Sequence, residues 1–166
     1  MKTIPLATLQ DNPSLLADLA DTLATGGLVC LPCGGSYRIL ADLNEPAAVT
    51  RLLQSKRRTR QAPSLVFVDS ADMLCGVVGD IPTGAQPLMA QLWPGPLTIL
   101  FPPSPALPEK ITKQLTRFNG NIGVRIPGNT MVRSLVTAFG RPVLVSSANR
   151  QEKKGAESPA QVRKNF

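Results

Sequence analysis

The chain has 166 residues, 43% of them apolar, with 18 Lys and Arg against 11 Asp and Glu and a formal net charge of +7. That length suffices for one domain with its own core, without help from disulfides or a structural metal, and no apolar run approaches the roughly 18–20 residues of a membrane span. There is no histidine, which excludes a Ser-His-Asp triad, a histidine general base and histidine-ligated zinc.

The opening MKTIPLATLQDNP lacks the charged, apolar and small-residue order of a signal peptide, so a cytoplasmic protein with no membrane partner is expected. Through Glu45 the chain carries five acids and only Lys2 and Arg38 as bases; from Arg51 onward it carries sixteen bases and six acids. A positive field of this kind suits nucleotide phosphates or RNA, and scattered surface cations would produce the same count.

From residue 12 to 25 the text NPSLLADLADTLAT predicts a helix, with Asn12 as N-cap, Pro13 in the first turn and Leu15, Leu16, Leu19 and Leu23 on one face; Gly26 and Gly27 stop it. LVCLP is continuously apolar and predicts a strand buried on both faces. NEPAAVTRLLQSK predicts a helix, SLVFV (64–68) a strand, and SADMLCGVVG a short helix containing Cys75. QPLMAQLW (86–93) predicts a helix ended by Pro94, followed by the strand LTILF (97–101) and the breaker-rich loop PPSPALPE. NIGVRI (121–126) predicts a strand, residues 129–139 a helix ended by Gly140, PVLVS (142–146) a buried strand, and SPAQVRKNF a helix opened by Ser158 and Pro159. Strands alternating with helices imply an α/β sheet covered on both faces. With no internal repeat or linker, residues 1–166 are expected to form a single domain, a monomer by default.

Cys30 and Cys33 stand at C-x-x-C spacing before Gly34 and Gly35. Residues three apart on a strand point to opposite faces, so this reads as a strand end meeting a ligand loop, not as a redox or zinc motif. The basic run RLLQSKRRTR (51–60) is either a solvated helix end or a phosphate clamp. Trp93, the only tryptophan, with the stiff Pro94-Gly95-Pro96 turn, reads as a core or hinge anchor. VLVSSANR ends a buried strand with hydroxyls and an amide, at the place where open α/β sheets gather ligands, although Ser and Asn are also ordinary turn residues.

Taken together, Lys56-x-Arg58 before an apolar strand, then WPGPLT, GVRIP and SSAN, in this order, resemble the YrdC/Sua5 family of threonylcarbamoyl-AMP synthases from about Gly26 onward. The resemblance implies an α/β domain with a twisted open mixed sheet, flanking helices and a concave basic groove. It implies a nucleotidyltransferase that joins L-threonine, bicarbonate and ATP into threonylcarbamoyl-AMP with release of pyrophosphate, toward the t6A base of tRNA. Mg2+ would be held mainly by the phosphates and water, with no protein metal site.

Carried over by motif, Lys56, Arg58, Ser147 and Asn149 would bind ATP and its phosphates, and Pro32, Cys33, Tyr37 and Arg125 would line the threonine groove. Arg57 and Arg60 join the basic loop as RNA-binding candidates; the resemblance singles out no catalytic side chain.

Family members read P-T-[DE]-T-x-Y-G-L where this chain has Pro32-Cys33-Gly34-Gly35-Ser36-Tyr37-Arg38-Ile39. Both threonines, the acid and the last glycine are replaced. RQEKKG follows SSAN where the family has a Ser-Gly pair, and fuller members carry a further terminal segment with a Ser-Thr pair. A catalytically impaired paralogue that binds RNA or nucleotide is therefore the second reading, and transfer of a different carbamoyl group the third. Gly34 and Gly35 either make a turn or open the groove.

Overall fold

The computed structural model describes residues 2–10, 12–55, 64–116, 120–149 and 155–166. A short helix α1 (Leu6–Gln10) precedes α2 (Pro13–Ala24), which starts where the Asn12 side chain accepts the Ser14 N–H at 3.1 Å. Leu23 is fully buried, and Leu15, Leu16 and Leu19 are half-buried on the same apolar stripe. Arg51 donates to the Gly26 carbonyl at 2.6 Å just beyond the helix end, so the first arginine of the basic run has a structural task.

Strands β1 (Val29–Cys33) and β2 (Ser36–Asp42) form an antiparallel hairpin in which Cys33 pairs with Ser36. The two residues between them, Gly34 and Gly35, have φ of +60° and +80°. Left-handed backbone at both central positions is what a two-residue turn needs to follow the strands' twist. The glycine pair is therefore a hairpin turn, and β2 is an element that its mixed polar text concealed.

After α3 (Pro46–Ser55) come β3 (Leu65–Phe67), α4 (Ala71–Cys75), α5 (Ala85–Leu92) and β4 (Ile99–Phe101). Helix α6 (Glu109–Leu115) opens directly after Pro108, at the end of the expected proline-rich loop. Then follow β5 (Ile122–Arg125), α7 (Thr130–Phe139), β6 (Val143–Ser147) and α8 (Pro159–Asn165). The caps match their sequence signals. Asn129 accepts the Val132 N–H at 3.0 Å, Gly140 ends α7 at φ +71°, and Ser158 accepts the Gln161 N–H at 3.3 Å.

The six strands form one mixed sheet in the order β1-β2-β6-β3-β5-β4. Only β3 and β5 pair in parallel; the other neighbours are antiparallel. β1 is thus an edge strand, and only Val29 and Leu31 along it are buried. Although it is an edge, its side chains still reach both cores, Val29 and Leu31 on one face and Cys30 on the other.

The ladder registers divide the side chains between two faces. On one face Leu31, Leu40, Val145, Val143 and Phe67 meet Ala20 and Leu23 of α2 and Val132, Leu135, Val136 and Phe139 of α7. On the other, Ile39, Ala41, Leu144, Val66, Val124 and Phe101 meet Val49, Leu52, Leu74, Ile111, Leu115 and Val162 from the remaining helices. Asp42 is buried on the α2/α7 side at 1% exposure, where Arg141 lies 3.0 Å from one oxygen and the Asn44 N–H donates to the other at 2.9 Å. Arg141 also covers the Phe139 ring at 4.6 Å. Burial raises the Asp42 carboxyl; the Asn44 N–H and Arg141 offset only part of this, and the Glu45 charge adds to the rise.

Candidate active site

The segment after α5 is shaped by backbone crowding. The Trp93 indole N–H donates to the Leu97 carbonyl at 2.8 Å, closing the turn, and the Trp93–Pro94 peptide is cis. A Cβ at Gly95 would stand 2.2 Å from the Leu92 carbonyl oxygen, so no side chain fits there. The Gly95 N–H donates to the Ile126 carbonyl at 3.0 Å, and a Cβ on Gly128 would lie 3.4 Å from the Gly95 Cα. WPGPLT and GVRIPG, far apart in sequence, are therefore the two halves of one tight joint.

The joint fixes Arg125. Its Nε and Nη2 both donate to the Thr98 hydroxyl, at 2.9 and 2.6 Å. Beside it, a Cβ on Gly123 would come within 2.9 Å of the Ser64 carbonyl oxygen and 3.1 Å of the Thr98 methyl. Glycine there lets β5 and its neighbours close around the arginine. Two of the five guanidinium donors are spent on Thr98, which leaves the others for a ligand.

Arg125 shares the α2/α7 face with Cys33, Arg38 and Ser147, because Arg125 is level with Phe67, Arg38 with Ser147 and Leu31, and Cys33 with Ser36. On a flat sheet the ladder would hold Cys33 and Arg125 roughly 25–30 Å apart, four strand spacings across and about six residues along. Yet each influences the other. Burial pushes the Cys33 thiol up, and the Arg38 and Arg125 guanidiniums pull it back down. Burial followed by the Arg38 charge lowers Arg125, and Cys33 opposes this. One thiol, one hydroxyl and two cations thus stand on the same face of the sheet. That face is the candidate site for the groove that the family resemblance implies.

Of the residues expected to line a threonine groove, Cys33 and Arg125 share that face. Pro32 and Tyr37 are paired with each other, and their parity puts them on the opposite face, where Tyr37 packs on the second core cluster. The Tyr37 backbone ties the region together: its N–H donates to Ala156 at 2.7 Å and its carbonyl accepts the Ala148 N–H at 2.8 Å. Cys30 also faces that second core, and burial pushes its thiol up to about 11, as the alternation argument required.

Ser147 ends β6, and the Asn149 N–H donates to the Ser147 carbonyl at 2.9 Å in the turn that follows. Asn165 of α8 donates to the Ala148 carbonyl at 3.2 Å, so the last helix holds this turn. Lys56, Arg57, Arg58 and Arg60 lie outside the described residues. Trp93 is the anchor its composition suggested. Two residues were missed. Thr98 is the last letter of WPGPLT and has its role only through the fold, whereas Arg38 stands where the resembled motif has glycine. Among the described residues no group of three or more His, Cys, Asp or Glu could hold a metal ion, and no helix is long and apolar enough to cross a membrane.

The family model that matches residues 21–166 is that of the Sua5, YciO and YrdC proteins, described as "Telomere recombination". The chain belongs to this family. A threonylcarbamoyl-AMP synthase of Alkalilimnicola ehrlichii is 34% identical over 144 residues, covering 87% of this chain and 73% of that protein. One from Pyrococcus abyssi is 30% identical over 147 residues, covering 89% of this chain. The solved structure of P. abyssi Sua5 complexed with L-threonine superposes with a TM-score of 0.81 at 29% identity, over 91% of this chain and 43% of that one. The chain thus spans 42% of the length of the Pyrococcus relative.

Proposed function

We propose that the chain is an L-threonylcarbamoyladenylate synthase, which condenses L-threonine, bicarbonate and ATP to threonylcarbamoyl-AMP, pyrophosphate and water for the t6A base of tRNA. The names of its relatives and the threonine complex of Sua5 support this reading. The observation that carries it is Arg125, locked by Thr98 in a joint built from two of the family's signature motifs.

In this scheme dehydration of bicarbonate supplies carbon dioxide. The threonine amine adds to it, forming an N–C bond and releasing a proton, and a carbamate oxygen then attacks the α-phosphorus as the bond to pyrophosphate breaks. Catalysis needs no histidine, because it consists of orientation and charge neutralisation. Arg125 and Cys33 would face the amino acid, Ser147 and Asn149 the nucleotide, and Lys56 and Arg58 the polyphosphate. A magnesium ion would enter with ATP, held by phosphate oxygens and water.

The second reading is a nucleotide- or RNA-binding paralogue without turnover. The hairpin favours it: Gly34 and Gly35 have open space where a Cβ would stand and replace side chains that could contact a substrate. Pyrophosphate release measured with purified protein decides between the two. We expect release only when ATP, threonine and bicarbonate are all present. No release, with RNA binding that falls log-linearly with salt, establishes the second reading.

A further inference from the structure

The sheet ends in two open edges, β1 and β4, and hydrogen-bond parity shows what each offers. Along a strand, successive main-chain N–H and C=O pairs point to alternate sides. In β2 the Tyr37 N–H and carbonyl bond away from β1, to Ala156 and Ala148. Ser36 and Arg38 therefore bond to β1, and the outward positions of β1 are Cys30 and Pro32. Proline has no N–H to offer there, which blunts that edge.

At the other end the Gly123 N–H donates to the Ser64 carbonyl at 3.0 Å, and the Arg125 carbonyl accepts the Val68 N–H at 3.2 Å, both on the β3 side. Ile122 and Val124 therefore bond to Phe101 and Ile99 of β4, and Leu100 points its N–H and C=O outward. Alternation gives Thr98 and Pro102 the same direction. The chain covers Pro102 itself, because the Gly79 N–H donates to its carbonyl at 3.0 Å. Thr98 and Leu100 make no main-chain hydrogen bond on that side among the described residues, and the Leu100 side chain is 47% exposed. Edges are commonly guarded by a charge, yet residues 81–108 contain no Asp, Glu, Lys or Arg.

The partner that fits is short, uncharged and blunt-ended. A longer extended peptide would run into segment 77–79, so a matching strand has space for about three residues. β4 itself meets that description. Charge favours the same choice: a net charge of +7 makes copies of the chain repel one another, and the repulsion is least where the meeting strands carry none. We propose that β4 pairs with β4 of a second copy of this chain, antiparallel about a twofold axis at Ile99, joining two six-stranded sheets into one. Thr98 and Leu100 of each copy then exchange N–H···O=C bonds with the partner's Leu100 and the partner's Thr98. Thr98 and Leu100 share the face of Arg125, so the partner's Leu100 stands beside the hydroxyl that holds Arg125. The two copies of Arg125 stay about 15 Å apart, three strand spacings and beyond the ~8 Å Debye length. The pairing is independent of the reaction proposed above.

Three residues a side bury less than the roughly 1,200 Å² of a standard interface, so a weak, micromolar dimer is expected. Sedimentation velocity on the purified chain should show monomer passing to dimer as concentration rises from low micromolar to submillimolar. Amide exchange followed by NMR should show the Thr98 and Leu100 N–H slowing over the same range, with the outward Cys30 N–H unchanged. Leu100→Pro removes an outward donor and no bond to β5, and should weaken the dimer about tenfold. Leu100→Lys, which keeps the main chain and sets a cation beside the axis in each copy, should also weaken it. Thermal melts separate either effect from unfolding.

A monomer throughout, a dimer whose Leu100 amide exchanges at a rate independent of concentration, or a dimer that tolerates either folded variant overturns the proposal. So does a dimer lost on Leu88→Glu or Leu92→Glu but not on Leu100→Pro. Those leucines lie one turn apart on the exposed side of α5, and that result would place the interface on the helix.

Discussion

The joint between the Trp93–Leu97 turn and the Arg125–Gly128 loop, and the tip of the β1–β2 hairpin, belong to one sheet and stand under opposite constraints. At the joint, Gly95 and Gly123 have backbone atoms where a side chain would begin, at 2.2 and 2.9 Å. At the tip, Gly34 and Gly35 have nothing within 4 Å of the same position. The joint is also where the chain keeps its family's letters, and the tip is where it loses them. Backbone crowding leaves no tolerated alternative, whereas side chains that face open space are free to change with the ligand. The comparison marks the joint as scaffold and the hairpin tip as a place where side chains can change without disturbing it.

The sharpest way to break that contrast is to place the same methyl group at both sites. Gly95→Ala should cost about 3 kcal/mol, because backbone must move, whereas Gly34→Ala should cost about 1 kcal/mol, the penalty of a left-handed alanine with no clash. Urea denaturation of the two variants measures the difference, and equal losses would erase the distinction.

A smaller effect is expected from Thr98→Val, which keeps the shape of the joint and deletes the acceptor of both Arg125 bonds. Stability should fall by about 1–2 kcal/mol. Affinity for the amino acid should fall about tenfold, since a loosened arginine loses orientation before it loses charge. A melt combined with a threonine titration checks both, and unaltered affinity would show that the joint does not serve the groove.

The smallest effect is on reactivity alone. The thiolate is the reactive form, and burial raises both strand thiols, that of Cys30 to about 11. Their thiolate population is therefore small at pH 8 and grows as pH rises toward the folded value. Iodoacetamide at pH 8 should label the exposed Cys75 first, then Cys33, then Cys30. Labelling of Cys30 ahead of Cys33 would contradict the assignment of the two strand thiols to opposite faces.

The parts of this fold that could be read from the sequence are those where one face of an element is uniformly apolar. α2 announces itself through its leucine stripe and Asn12, α7 through Gly140 at its end, and β3, β5 and β6 through short apolar runs. β2 hid because Arg38 and Asp42 occupy its α2/α7 face, one turned to the groove and the other buried against Arg141. Gly-Gly between two runs is a hairpin signal, and it was the one clue to that strand. The site was legible as motifs and illegible as geometry. No spacing rule says that Thr98 meets Arg125 across 27 residues, or that Tyr37 and Cys33 look in different directions. Those facts belong to register, which only the assembled sheet defines.

β3 pairs in parallel with β5 on one side and antiparallel with β6 on the other. Its register is therefore shared, and a slip of this one short strand would shift its partners on both sides together. Loosening β3 opens two ladders at once, so its amides should be among the slowest of the described strands to exchange.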